Sequence, residues 1–314
     1  MTTLTLAIPS KGRLKEQTEA YLADCGLKLR QMGGDRGYTA TLEGAPNVNV
    51  LLLSASEIAK GLLGGSLHLG VTGEDLLREH ADNFEEEAWL LKALGFGFAR
   101  MVVAVPESWI DVDTIADLED VGHEFRARYG RRMRVATKYL RSCRRFFAQK
   151  GLTQYRLVDS AGATEAAPAS GSAELIVDIT TTGATLKAND LKILSDGEML
   201  ASQAQLSASL KADWSDEALQ ALKAILDLIE ARQLAKRRRI LSGNRDLSDQ
   251  ADRFGDEVKA IGLNLVMPAE LVNSAAIQLS ENGFGPLSVE KPEFLFFDSN
   301  PVFAEFCRAK DEIA

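Results

Sequence analysis

A chain of 314 residues, 46% of them hydrophobic, has apolar material for two domains and a further small element, which excludes a globally disordered protein. Its 45 acidic against 36 basic residues give a formal net charge of −9. That balance argues against nucleic acid as the main partner, yet leaves room for small phosphorylated ligands at a local basic site.

In chain order, LTLAI (Leu4 to Ile8) reads as a buried strand. The following SKGRLKEQTEAYLADCG places Leu14, Thr18, Tyr21, Leu22 and Cys25 on one helical face, with Gly26 where a C-terminal cap belongs. VNVLLL is a strand, ASEIAKGLL a short helix, LHLGV a strand, and TGEDLLREH opens a helix. This alternation is the mark of an α/β layer with largely parallel strands. A second unit opens near Arg100: RMVVAVP, RVATKY, QYRLVDS and ELIVDI read as strands, DVDTIADLEDV and LRSCRRFFAQKG as helices. LKILSDGEMLASQAQL reads as strands around an Asp196-Gly197 turn. From Asp213 a long amphipathic helix is expected, with Leu219, Leu222, Leu226 and Ile229 on one face and the cationic run Ala235 to Arg239 at its end. The remainder begins polar and then turns apolar, with a strand-helix-strand piece between residues 263 and 297.

The stretch DITTTGATL (Asp178 to Leu186) is poor core material. It joins a strand to a helix through three adjacent threonines, a glycine and a further threonine. Glycine lets the backbone approach a ligand, and the first amides of a helix attract an anion. Hydroxyls of Thr180, Thr181, Thr182 and Thr185 are candidate donors to phosphate oxygens, and Asp178 is placed to take a sugar hydroxyl. LGVTGEDLL (Leu69 to Leu77) has the same strand, Thr-Gly, helix form, although Glu74 and Asp75 also suit an ordinary helix start. Arg126 to Phe147 holds nine basic residues and no acid. Most of these arginines suit a solvated face, but Lys138 follows Thr137 at a strand-to-helix junction, where ligand-facing residues of open α/β sheets lie. Lys11 and Arg13 hold the equivalent place after the first strand.

His68, His80 and His123 are isolated, and no Ser/His/Asp or Cys/His arrangement is evident. Cys25, Cys143 and Cys307 are far apart and show neither metal-ligand spacing nor a disulfide framework, which fits a reducing compartment. No apolar run reaches membrane-span length, and the stretch before Pro9 and Lys11 is too short for a secretory signal. A cytoplasmic protein without nucleic-acid or membrane partners is therefore expected.

Taken together, IPSKGRL, GVTGEDLL, SAGATEAAPASGSAELIVDITTTGATLKANDL and the following DGEM resemble the ATP phosphoribosyltransferase family, over about residues 4 to 233. The resemblance implies two α/β domains of the periplasmic-binding-protein-like type II kind, with the active site in the cleft between them, plus a C-terminal α+β extension. Residues 1–99 with 195–212 would form the first domain and 100–194 the second. A long helix over 213–239 and the extension over 240–314 would follow. The reaction implied joins adenine N1 of ATP to C1 of phosphoribosyl pyrophosphate and releases pyrophosphate, with Mg²⁺ as cofactor. Asp178, Thr180, Thr181, Thr182, Gly183, Ala184 and Thr185 would hold the phosphoribosyl donor. Glu165 would lie near the sugar or its magnesium, and Asp178 and Glu165 would touch the metal through the substrate. Lys11, Arg13 and Lys138 would face phosphates, and Gly73, Glu74 and Asp75 would line the ATP side of the cleft. Many family members carry an arginine after the third strand where this chain has Ser54, Ser56 and Glu57; if that arginine helps the leaving group, this chain must supply the cation elsewhere. A homo-oligomer, a regulatory subunit resembling histidyl-tRNA synthetase, and histidine inhibition through the extension are further expectations. The competing readings are a two-lobed binding protein without catalysis and a phosphoribosyltransferase for another base.

Overall fold

The computed structural model describes residues 4–32, 38–45, 47–160 and 162–313. The first lobe opens with β1 (Leu4–Pro9), buried along nearly all its length because parallel strands flank it on both sides. It continues through α1 (Gly12–Asp24), β2 (Lys28–Met32), β3 (Thr39–Glu43), β4 (Val48–Leu53), α2 (Ala55–Leu63), β5 (Leu69–Gly73), α3 (Glu74–His80) and β6 (Ala88–Ala93). The sheet order is β2-β3-β4-β1-β5-β12-β6, where β12 (Ala204–Ser209) arrives from much later in the chain. One face packs Leu6, Ile8 and Leu222 into a core, and the other packs Ile58, Leu62 and Phe84.

The second lobe comprises β7 (Ala99–Pro106), α4 (Ile115–Tyr129), β8 (Met133–Thr137), α5 (Leu140–Lys150), β9 (Tyr155–Asp159), β10 (Leu175–Thr180), α6 (Ala184–Ala188) and β11 (Leu191–Ser202). Its order is β11-β7-β10-β8-β9. In each lobe the first strand sits inside the sheet, and the strand that arrives from the other lobe runs antiparallel within it. That is the two-lobed type II arrangement. The two crossings between lobes, after β6 and after β11, bind each other: Leu94 N–H donates to Ala204 O and Ala204 N–H to Phe96 O, both at 3.0 Å.

Residues 195–202, expected in the first lobe, pair with β7 in the second sheet. The expected Asp196-Gly197 turn is a register shift inside a continuous β11. Asp196 is drawn there by distant partners: its carboxylate accepts from Ile115 N at 2.8 Å and Lys150 Nζ at 3.1 Å.

α7 (Asp216–Arg237) starts on Ser215, whose hydroxyl accepts from Ala218 N at 3.2 Å. Leu222, Leu226 and Ile229 are buried on the first lobe as the helical period requires, whereas Ile225 is buried and Leu219 only half-buried. The cationic run ends this helix as far as Lys236 and Arg237, which lie in its last turn, and then leaves it. Arg238 and Arg239 begin β13 (Arg238–Gly243) and pair with Pro268 and Met267. β14 (Lys259–Ile261), β15 (Asn264–Pro268), α8 (Val272–Leu279) and β16 (Leu287–Glu290) complete a four-stranded sheet, β14-β15-β13-β16, with its own core of Leu241, Leu265, Met267 and Leu279. The expected single extension over 240–314 is divided. α9 (Pro301–Ile313) returns to the first lobe, where Phe306 meets Trp214 with ring centroids 5.0 Å apart. No helix among the described residues is long and apolar enough to cross a membrane.

Candidate active site

Parallel strands aim their carboxyl ends at one edge of an α/β sheet, and ligands collect there. In the first lobe those ends deliver Lys11 and Arg13 after β1 and Gly73, Glu74 and Asp75 at the end of β5; in the second they deliver Lys138 after β8 and Asp178 to Thr185 at the end of β10.

The β10 turn is a self-supporting loop. Gly183 has φ +77°, a conformation that costs a residue with a side chain about 1–2 kcal/mol. The Thr180 hydroxyl accepts from Gly183 N at 2.8 Å, and the Thr182 hydroxyl from Ala184 N at 3.3 Å. Thr181 Oγ1 donates to Phe98 O at 3.1 Å, which ties the loop to the first crossing between lobes. The four threonines therefore divide. Thr180 is buried and shapes the turn, and Thr181 spends its proton on backbone. Thr182 and Thr185 stand exposed, with hydroxyl protons free for a ligand.

Asp178 keeps one oxygen on Ile179 N at 2.8 Å. Burial pushes its carboxyl above the ordinary range, Glu165 adds to the push, and the Lys138 ammonium opposes it. Glu165 and Lys138 thus both lie near Asp178 at this end of the cleft.

On the opposite wall Asp75 is almost fully buried at the first turn of α3 and accepts from Ser202 Oγ at 3.0 Å. Burial drives its carboxyl up against that bond. A Cβ at Gly73 would meet the Asp75 carboxylate, so a larger residue there would displace that side chain. Glu74 is neutralised by Arg78, whose Nη2 lies 2.7 Å from it. Asp75 rather than Glu74 is therefore the unpaired carboxylate of this turn.

Lys11 and Arg13 are both exposed at the start of α1. Arg13 lines a cavity of about 500 Å³ with Gln17, Gly95, Phe98 and Thr181, and so meets the β10 loop across the cleft floor. The turn after β4, where an arginine was sought, is a helix cap. Glu57 N–H donates to Ser54 Oγ at 3.3 Å and Ser54 N–H to Glu57 Oε2 at 2.9 Å, while Ser56 bonds His80 at 2.9 Å. His68 is structural. Its Nδ1 accepts from Thr5 N at 3.2 Å, so Nε2 donates to Asp213 O at 3.0 Å. His123 bonds Glu119 one turn earlier on the surface of α4.

Three residues that sequence reasoning missed complete the geometry. Tyr139 precedes α5, and burial followed by the nearby Asp75 and Asp178 carboxylates pushes its phenol far above the ordinary value, so it stands neutral between the two walls. Glu79, on α3, accepts from Arg141 N at 3.0 Å and from Ser142 N and Oγ at 3.0 and 2.9 Å, capping α5 from the other lobe. Arg100 sits opposite Thr180 across the β7–β10 ladder and pairs with Glu198 at 3.1 Å. Local sequence held a signal only for Tyr139, through its adjacency to Lys138; the others depend on partners 60 or more residues away.

A family model described as HisG: ATP phosphoribosyltransferase matches residues 54–231. An ATP phosphoribosyltransferase of Caulobacter vibrioides is 53% identical over 98% of this chain and 98% of its own length. One from Rhodopseudomonas palustris is 50% identical over 96% of each. A solved structure of the ATP phosphoribosyl transferase (HisG:HisZ) complex from Thermotoga maritima is similar with a TM-score of 0.55 and 26% identity, covering 72% of this chain and 98% of that one.

Proposed function

The chain belongs to the ATP phosphoribosyltransferase family and is a transferase of the first step of histidine biosynthesis, and we propose that it works in the cleft described above. Adenine N1 of ATP donates its lone pair to C1 of phosphoribosyl pyrophosphate. The C1–oxygen bond breaks, and pyrophosphate leaves with the electron pair. The observation that carries this reading is the β10 turn, where Gly183 in the left-handed conformation, two free threonine hydroxyls and the half-buried Asp178 lie together.

In our reading Gly183, Ala184, Thr182 and Thr185 hold the 5-phosphate, and Asp178 accepts the ribose hydroxyls. Thr180 and Thr181 act by shaping that turn. Lys138, Lys11 and Arg13 face the pyrophosphate and ATP phosphates, in the place left by the absent arginine. Gly73, Glu74 and Asp75 form the ATP wall. Such a site accelerates the reaction by aligning two anionic substrates and stabilising charge on the leaving group; no protein nucleophile is needed. Among the described residues no three His, Cys, Asp or Glu side chains gather as a metal cage. Asp178 and Glu165 would hold Mg²⁺ only through the substrate, as oxygen donors that suit a hard cation. That ion, when bound, neutralises the leaving group.

We also read the chain as a cytoplasmic homo-oligomer that takes a regulatory subunit; the similarity to the Thermotoga maritima complex supports the last of these. Histidine inhibition through the C-terminal sheet belongs to the same reading, and a titration that leaves activity unchanged removes it. The first test is the purified chain with ATP, phosphoribosyl pyrophosphate and Mg²⁺, followed by the absorbance of N1-ribosylated adenine. Turnover without a partner supports the reading and shows that the chain is self-sufficient. No turnover, with or without a regulatory subunit, overturns it.

A further inference from the structure

An open pocket of about 780 Å³ lies outside the reaction described above, lined by Arg131, Arg132, Arg134, Arg144 and Arg156. It occupies the amino end of β8 and the edge strand β9, behind α5. Lys138 is at the other end of β8, roughly 13 Å away at the rise of a strand. The pocket is therefore separate from the cleft.

The arginines come from four segments: the turn before β8, β8 itself, α5 and β9. Arg131 and Arg134 share Glu174, at 3.0 and 2.7 Å. Burial opposes the charge on that carboxylate, yet the two guanidinium groups hold it down to about 2. Arg132, Arg144 and Arg156 have no carboxylate partner among the described residues. Five cations thus face one anion inside a chain whose net charge is −9.

Edge protection explains one or two charges on β9, since charge blunts an exposed strand against pairing. It does not explain arginines converging from α5 and from the turn before β8. A second copy adding its own β9 antiparallel would bring the two Arg156 side chains toward each other, so this edge resists self-pairing. One wall of the pocket is apolar, with Leu152 and Leu157, and Tyr155 adds an aromatic ring. The volume is that of a small-molecule site, and guanidinium forks match phosphate oxygens in pairs.

We propose that this pocket is a second, non-catalytic site for a small molecule carrying two or more phosphates, with Arg132, Arg144 and Arg156 as its partners and Arg134 held ready by Glu174. The test titrates the full chain with inorganic tripolyphosphate in a calorimeter at 150 mM NaCl. It is run with and without saturating phosphoribosyl pyrophosphate, on wild type and on the Arg132→Ala, Arg144→Ala, Arg156→Ala triple variant. Wild type retains one equivalent of tripolyphosphate that phosphoribosyl pyrophosphate does not displace. The triple variant loses that equivalent, or binds it at least about tenfold more weakly, while kcat and both KM values stay unchanged. If the triple variant misfolds, Arg156→Gln alone carries the same comparison.

ADP in place of tripolyphosphate separates the sources: equal retention assigns recognition to the phosphates, and tighter retention of ADP assigns the apolar wall to a base. Either supports the site. Identical titrations of wild type and variant overturn it, as does wild-type binding too weak to detect at this salt. A change of oligomeric state in the triple variant by light scattering also overturns it, because the arginines then belong to a protein interface.

Discussion

Asp178 carries two opposed demands. Burial raises its carboxyl above the ordinary range, with Glu165 adding to the effect, so the folded protein is destabilised whenever this group is ionised. The proposed role as acceptor for ribose hydroxyls nevertheless requires the ion. A raised folded value means that stability is gained as pH falls through it and lost as pH rises. Asp178→Asn is therefore expected to raise Tm at neutral pH while lowering kcat/KM for phosphoribosyl pyrophosphate by about 10- to 100-fold, the worth of a hydrogen bond to a charged group. Activity of the wild type falls on the acid side at a pH above that of an ordinary carboxylate, and the variant lacks this limb. Thermal scans beside pH–rate profiles check both halves; a variant that loses stability and activity together marks Asp178 as a packing residue instead.

Among the elements, α2 and α5 show what local sequence reveals and what it hides. α2 announces its start with Ser54 and Glu57, three residues apart, and the two close a capping box. α5 has no side-chain cap of its own, and its first amides are met by Glu79, 62 residues earlier and in the other lobe. Only the seating of one lobe against the other brings that pair together. Replacing Glu79 with Ala should cost about 1 kcal/mol, as for a lost N-cap. Because the bond exists only when the lobes meet, we expect the loss as a roughly fivefold rise in KM for both substrates, with kcat less affected. Steady-state kinetics check this; a change confined to kcat places Glu79 in the chemistry.

The same contrast runs through the fold. β1, β5 and β10 are legible as apolar runs because both their faces are covered. The β2–β3 hairpin is not, since its strands mix charge with apolar positions at the sheet edge and pair only with each other and β4. Asp196-Gly197 carries a strong local turn signal, yet the long-range capping of α4 keeps β11 continuous. The Arg238 and Arg239 pair suits a helix end, and pairing with β15 draws it into a strand. In the site, Lys138 was legible from the β8–α5 junction, and Asp178 and the threonine loop from the β10–α6 junction, because each signal lies within one short stretch of chain. Tyr139, Glu79 and Arg100 acquire meaning only through the opposite wall or the neighbouring strand.

For the molecule as a whole, the C-terminal third is bound to the first lobe at both of its ends. Asp24 on α1 meets Arg232 and Lys236 on α7, each at 2.6 Å, and bonds from Arg232 foremost hold its carboxyl at about 2 against an ordinary 3.8. A depressed carboxylate stabilises fully above its unfolded value and ceases to do so as pH falls through its folded one. The Asp24 contribution is accordingly lost between about 3.8 and 2, and Asp24→Asn should flatten acid unfolding across that window, as read by circular dichroism. The second attachment is apolar and larger. Phe306 on α9 is fully buried against Trp214 and joins the same core as Leu222 and Ile225 of α7 and Leu6 of β1. A phenylalanine removed from such a core costs about 3–5 kcal/mol through lost transfer energy and the cavity left behind. If α9 is an integral layer of the first lobe, Phe306→Ala lowers the midpoint of the main unfolding transition and leaves it single. If the C-terminal segment is an independent appendage, the variant splits off an early minor transition and the main midpoint does not move. Calorimetry separates the two outcomes, and the burial of Phe306 within the first-lobe core predicts the single, shifted transition.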